Sequence, residues 1–247
     1  MSVSNKPSTI QSVAWETGLQ AIKESINFSS FEEFRNHLAK NMRQNSFEVR
    51  KRYASLILQR LFPEKSLQGI NSLVWGTFKD EKILEDLARV TTLEAEPVIA
   101  EFVLEQIMVL TPGSIIEDST FRDFISSKFG SFKSDSYSRL RSSLTHMGFI
   151  SVINNQIIVQ PIPLPENAFL ILLHARLAPS PRIVRLSDIL NAVFWKLMGL
   201  RDEATIRSIL REAEAKGLIA KYMVVDQLKQ ITTRYSYEEY MANAFRL

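Results

Sequence analysis

Apolar residues recur at helical spacing along most of this chain, and the clearest run of elements lies between Glu117 and Gln160. There Phe121, Phe124 and Ile125 fall on one helical face and Gly130 stops the segment; Tyr137, Leu140, Leu144 and Met147 repeat the pattern and Gly148 stops it. Glycine enters the left-handed cap conformation without the steric cost of a side chain. Phe149 to Ile153 and Gln156 to Gln160 then flank Asn154-Asn155, a pair that accepts the positive φ of a tight hairpin. Helix, helix, β-hairpin is the outline of a winged helix-turn-helix.

A second copy follows at an offset of 69 residues. The offset carries Phe121, Phe124 and Ile125 onto Leu190, Val193 and Phe194, and Gly130 onto Gly199. It carries Tyr137, Leu140 and Leu144 onto Ile206, Ile209 and Ala213, and Gly148-Phe149-Ile150 onto Gly217-Leu218-Ile219. A repeat that keeps both core face and helix stops is an architectural signal.

The rest of the chain reads as helices. Val13, Ala14, Leu19, Ile22 and Ile26 mark a first one over 10–26. Ser30 with Glu33 is spaced as a capping box ahead of a second, to about Arg43, and Ser46 opens a third that Pro63 ends. Two more are expected over 67–78 and 80–90, and a nearly all-apolar one from Pro97 to Leu110, before the break at Thr111-Pro112-Gly113. The expected fold class is mainly α: an unstructured start over 1–8, a helical front over 9–112, one winged unit over 113–160, a proline-rich connection with a short helix over 161–183, and a second winged unit with a C-terminal helix over 184–247. The alternating prolines 161, 163 and 165 make that connection stiff, and the tail carries Tyr237, Tyr240, Met241 and Phe245 as a docking helix.

Composition narrows the chemistry. At 247 residues the chain is long enough for two or three small domains, and with no cysteine it has no disulfide, thiolate nucleophile or Cys-ligated metal. The start lacks the apolar core of a signal peptide, and the longest apolar run, Ala168 to Leu173, is too short to span a bilayer. These features give a cytoplasmic protein with no membrane partner as the expectation. The net charge of +3 is unevenly spread: residues 30–62 carry +4, residues 63–118 carry −7, and the remainder is basic again.

In a helix-turn-helix the second helix enters the major groove, and its outward face meets bases and phosphates. In the first copy that face is Ser138, Arg139, Arg141, Ser142, Thr145 and His146, with Lys128 and Lys133 bracketing the turn. In the second it is Arg201, Thr205, Arg207, Ser208, Arg211 and Lys216, with Lys221 and Lys229 on the wing; Glu203, Glu212 and Glu214 dilute it, which favours the first copy as the reader. Arg50, Lys51 and Arg52, near Arg35 and Arg43, form another candidate phosphate surface. The three histidines stand apart without a metal-ligand spacing, His174 reads as a satisfied core histidine, and no glycine-rich phosphate loop is present. No catalytic residue, metal, cofactor or small-molecule substrate is expected.

The run NSFEVRKRYASLILQRLFP, the acid-rich helical stretch after it, EPVIAEFVLEQIMV, and the segment ending in LTHMGFI resemble the BrxA-type small proteins of BREX phage-defence systems. Asn45, Ser46, Arg50, Lys51, Arg52, Arg60 and Leu61 match the family's basic helix, and Val49 stands where the family tends to have Thr. The resemblance spans roughly residues 30–225 and implies a helical front like the NusB-like RNA-binding folds, a winged-helix back, and double-stranded DNA binding as an accessory to other proteins of the defence system. Two alternatives stay open: a protein-interaction adaptor whose acidic stretch, Asp80 to Glu105, docks a basic partner, and RNA binding through the helical front.

Overall fold

Short polar side chains set where three of the five front helices begin. The five are α1 (Trp15–Ser25), α2 (Phe31–Asn41), α3 (Phe47–Leu61), α4 (Ile70–Phe78) and α5 (Glu81–Ala95) in the computed structural model, which describes residues 9–225 and 228–243. Ser30 Oγ accepts from the Glu33 amide at 3.2 Å, Ser46 Oγ from that of Val49 at 3.3 Å, and Asp80 Oδ1 from that of Ile83 at 3.0 Å. The Glu33 carboxylate reaches back to the Ser29 hydroxyl at 2.8 Å, one residue further than the simple capping box. The first helix starts at Trp15 rather than near Ile10, because Ala14 has φ 51°. Ile10 and Val13 are buried from the segment before it.

Helix α5 is the spine. From Ile83 to Leu93 every residue except Glu85 is buried, Asp86 and Arg89 included. It packs against α1, α3 and α4 in front, and against three helices of the back half described next.

That back half is a repeat, and it starts earlier than the sequence offset indicates. The first unit runs α6 (Pro97–Phe102), a π turn (Val103–Ile107), β1 (Ile115–Ile116), α7 (Asp118–Phe129), α8 (Ser134–His146), β2 (Ile150–Ile153) and β3 (Gln156–Val159). The second runs α9 (Glu166–Leu172), a π turn (Leu173–Leu177), β4 (Ile183–Arg185), α10 (Leu186–Leu190), α11 (Phe194–Leu197), α12 (Glu203–Ala215), β5 (Ile219–Val225) and β6 (Leu228–Thr233). α13 (Tyr237–Asn243) follows. The protein is thus mainly helical with two small antiparallel sheets, ordered β1-β3-β2 and β4-β6-β5 among the described residues. The stretch 97–107, expected in the front, and 166–177, expected in the connection, hold equivalent places in the two units. Phe102 packs on Phe121 and Phe124 at ring distances of 4.6 and 5.0 Å, tying the first of these helices to its own unit. The back-half partners of α5 are α6, α9 and α11.

Local signals act as the sequence implies. Asn154 and Asn155 have φ 50° and 63°, the handedness that matches strand twist in a two-residue hairpin. Gly199 needs its hydrogen twice over: φ is +94°, and a Cβ there would sit 2.5 Å from the Ile162 side chain. One expected helix face fails. The counterpart of α7 breaks between Leu190 and Phe194, leaving Val193 52% exposed, and the Trp195 indole N–H donates to the freed Leu190 carbonyl at 3.2 Å. The expected start over 1–8 and the tail position of Phe245 lie outside the described residues.

Buried polar contacts join the parts. Arg89 donates from Nη1 to Asp86 Oδ1 at 2.7 Å and from Nε to the Met147 carbonyl at 2.8 Å, linking α5 to the end of α8. Burial pushes the Asp86 carboxyl up, and Arg89 opposes that shift. Arg201, expected on an outward DNA-reading face, instead donates to the carbonyls of Ile107 at 3.0 Å, Met108 at 3.2 Å and Leu110, where the first unit's π turn ends. Leaving water lowers its pKa. At the matching place in the second unit, the Tyr237 amide donates to the Pro179 carbonyl at 2.9 Å and Tyr240 stacks on His174 with ring centres 4.0 Å apart. His174 donates from Nδ1 to the Leu170 carbonyl at 2.9 Å, but its Nε2 has no partner, so this core histidine is only half satisfied.

Two outcomes follow for stability. Arg89→Ala leaves the buried Asp86 with only the longer contact to Lys82 at 3.8 Å and costs about 3 kcal/mol in urea unfolding, whereas Arg89→Met with Asp86→Leu costs markedly less; equal losses would remove the ion pair as the cause. Burial lowers the His174 pKa below its free value of 6.5. The unfolded chain therefore binds the extra proton, so stability falls as pH drops through that value and levels off below the folded state's own pKa. The urea midpoint should shift less between about pH 7 and 5.5 in His174→Asn than in the wild type.

Candidate nucleic-acid interface

A basic residue meets a polyanion most readily where its internal contacts are few or are exposed ion pairs, which are worth little in water. The acidic stretch of the sequence turns out to hold four cations from other parts of the chain, Lys128 of the expected set among them. Glu81 pairs with Lys23 at 2.5 Å, Glu94 with Arg176 at 2.5 Å, Glu96 with Arg60 at 2.6 Å, and Glu101 with Lys128. Arg60, counted in the basic strip of the front, is 1% exposed and also donates to the Ser12 carbonyl.

In the first unit, the chain segment before α1 lies against α8. Ile10 donates its amide to Ser136 Oγ at 3.2 Å and Arg139 donates to the Ile10 carbonyl at 3.0 Å, while His146 Nε2 lies 3.3 Å from Glu16 in the first turn of α1. The same segment reaches α3, where Arg52 donates to Gln11 Oε1 at 2.6 Å. Arg50 donates to the Gln44 carbonyl at 3.1 Å, before its own helix begins. Of the expected set, Lys128 is thus bound to Glu101, Arg139 and Arg52 to the segment before α1, and Arg50 to the loop ahead of α3. Lys51, Ser138, Ser142 and Thr145 are at least partly exposed, and Ser142 Oγ lies 3.2 Å from His146 Nδ1.

Arg141 belongs to a separate cluster. It donates to the Tyr137 hydroxyl at 2.7 Å; that hydroxyl donates to Asp118, which also accepts from Arg122. The Tyr137 hydrogen bond, then that of Arg122, holds the Asp118 carboxyl below its usual range, while desolvation and then Asp118 push the Tyr137 hydroxyl up. Lys133 sits 5.3 Å from the Phe129 ring centre. Arg122 was not among the expected contacts, although its i,i+4 spacing to Asp118 marks it in the sequence.

The second unit leaves a more open arrangement. A groove of about 410 Å³ lies where β4, α10, α12 and β6 meet, and among the described residues it is lined by Arg185, Leu186, Ser187, Leu190, Arg207, Leu228, Lys229 and Gln230, three cations and no acid. Arg207 reaches Glu203 at 3.0 Å, Arg185 reaches Asp188 at 3.0 Å, and Arg211 lies 6.0 Å from the Tyr222 ring centre. Other expected contacts are held internally. Lys216 pairs with Glu166 at 3.0 Å, Lys221 with Glu214 at 3.1 Å, and the Thr205 hydroxyl bonds Asp202 at 3.0 Å. Arg185 escapes sequence reasoning because the three residues of β4 are too short to show a strand period.

Among the described residues no group of His, Asp and Glu is placed to hold a metal ion, and no helix is long and apolar enough to cross a membrane. The contacts of Arg139 make it a fastening for the chain segment before α1. Arg139→Ala should cost about 1 kcal/mol in urea unfolding and leave duplex DNA affinity unchanged; a loss of duplex binding at full stability would give that role back to it. No protein-family model, curated protein or solved structure matches this chain.

Proposed function

We propose that the protein is a non-enzymatic, double-stranded-DNA-binding accessory factor, built of two tandem winged helix-turn-helix units, that serves an anti-phage system together with other proteins. The repeated order of helix, strand, helix, helix and hairpin, with the first helix after the strand broken in two in the second unit, supports the winged-helix reading, and the sequence resemblance supports the defence setting. The observation that carries DNA binding is the groove where β4, α10, α12 and β6 meet, with Arg185, Arg207 and Lys229 around it and no carboxylate among the described residues of its lining; Asp188 and Glu203 reach two of these cations only through exposed pairs. In a helix-turn-helix the helix in this position enters the major groove. Arg207 and Arg211 project from it, and Lys229 extends the cationic strip onto the wing, where it meets backbone phosphate.

This reading moves the main contact from the first unit to the second. The serines of α8 offer little charge, and Arg139 and Lys128 already have internal partners. The adaptor alternative loses part of its support for a related reason: within Asp80 to Glu105, Glu81, Glu94, Glu96 and Glu101 are paired within the chain.

Fluorescence anisotropy with a labelled duplex tests the proposal. Phosphate contacts should make affinity fall at least about tenfold between roughly 50 and 200 mM salt. Combining Arg207→Ala, Arg211→Ala and Lys229→Ala should weaken binding and lower the slope of log affinity against log salt by about 0.9 for each phosphate that is no longer neutralised. No duplex binding at low salt, or an unchanged slope in the triple variant, overturns it.

A further inference from the structure

The turn between α7 and α8 carries an aromatic ring that the fold does not bury. Phe132 is 39% exposed, although full burial of such a side chain stabilises by about 2 kcal/mol. The equivalent turn position in the second unit, 69 residues on, is Arg201, which fastens that unit to the first through the carbonyls of Ile107, Met108 and Leu110. Packing between units therefore explains the residue in one turn and not in the other.

What surrounds Phe132 is cationic. The Arg122 guanidinium lies 4.7 Å from its ring centre and 5.5 Å from that of Tyr137, and its side chain is 53% exposed. Arg141 lies 5.4 Å from the Tyr137 ring, Lys133 5.3 Å from that of Phe129, and the Phe132 and Tyr137 rings are 6.0 Å apart. Asp118 is the carboxylate of the cluster, held by Tyr137 and Arg122. Aromatic rings interleaved with guanidinium groups at the surface form the arrangement that holds single strands, where bases stack on rings and cations follow the backbone. A paired duplex presents no free base face to such a platform.

We propose that the Phe132 cluster is a second nucleic-acid site, distinct from the groove of the other unit, that binds unpaired bases of single-stranded nucleic acid. Phe132 supplies the stacking surface, and Arg122, Arg141 and Lys133 hold the flanking phosphates. With the groove on α12, the chain would carry one site for a duplex and one for a strand lying open beside it.

Anisotropy of the full chain with labelled oligo-dT, oligo-U and a blunt duplex tests this, the two single strands separating a DNA from an RNA source. Phe132→Ala should weaken the better-bound single strand about tenfold and leave the duplex unchanged. Phe132→Trp should keep the affinity and show quenching of the new indole by that strand. An exposed turn residue leaves folding intact, which circular dichroism checks. The proposal is overturned if the wild type binds neither single strand, if Phe132→Ala binds both as tightly as wild type, or if duplex affinity falls in parallel. Because the duplex is read separately, loss of the duplex site alone leaves this result intact.

Discussion

A guanidinium group inside α5 holds the molecule in register. Buried charge is tolerated only when paired and hydrogen-bonded, because desolvation of an isolated ion costs several kcal/mol. Arg89 meets that condition with Asp86 on its own helix and with the Met147 carbonyl at the end of α8 across the interface. A planar fork of donors accepts few geometries, so the contact fixes where the first unit sits against the front. Arg176, in the π turn of the second unit, also reaches α5, in an exposed pair with Glu94 near the C-terminus of that helix. The front and both units share one apolar core around this helix.

The charge map of the sequence and that of the surface differ for the same reason. An uneven linear distribution suggests an acidic side and a basic side, but ion pairs over long sequence distances join the two. Lys128 meets Glu101 and Arg60 meets Glu96 inside the fold, and the segment before α1 holds Arg139 and Arg52. The remaining cationic surface lies where the cations have only short-range, exposed acidic partners, in the groove of the second unit with Glu203 and Asp188 and around the first α7–α8 turn with Asp118. Exposed pairs such as Arg207 with Glu203 are worth little in water, so a phosphate can replace the glutamate there.

What was legible in the sequence was local. Ser30, Ser46 and Asp80 begin helices through contacts three residues away; Gly130 and Gly148 end them; Asn154-Asn155 turns the hairpin. The apolar offset between copies survives because both cores are built from the same helical faces. The strands β1 and β4 are too short to leave a period, and the π turns keep apolar residues close enough to helical spacing that Pro97 to Leu110 reads as one helix. The break before Phe194 depends on an indole reaching back to Leu190, which no spacing rule contains. For the site, Arg207, Arg211 and Lys229 could be placed outward from periodicity, whereas Arg185 depends on a strand that only the fold reveals. Arg201 was misplaced because its partner carbonyls lie 91 residues or more away.

The two π turns give the tandem units a directional joint. Each turn ends in main-chain oxygens that face the next element along the chain: Arg201 enters the first socket and the Tyr237 amide enters the second. In a stacked array an unfilled joint of this kind invites another repeat or another molecule, which is why such arrays need terminal caps. α13 acts as a stopper, with Tyr240 against His174 closing the apolar side and Tyr237 closing the polar one. α13 thus fills, in the second unit, the place that Arg201 fills in the first.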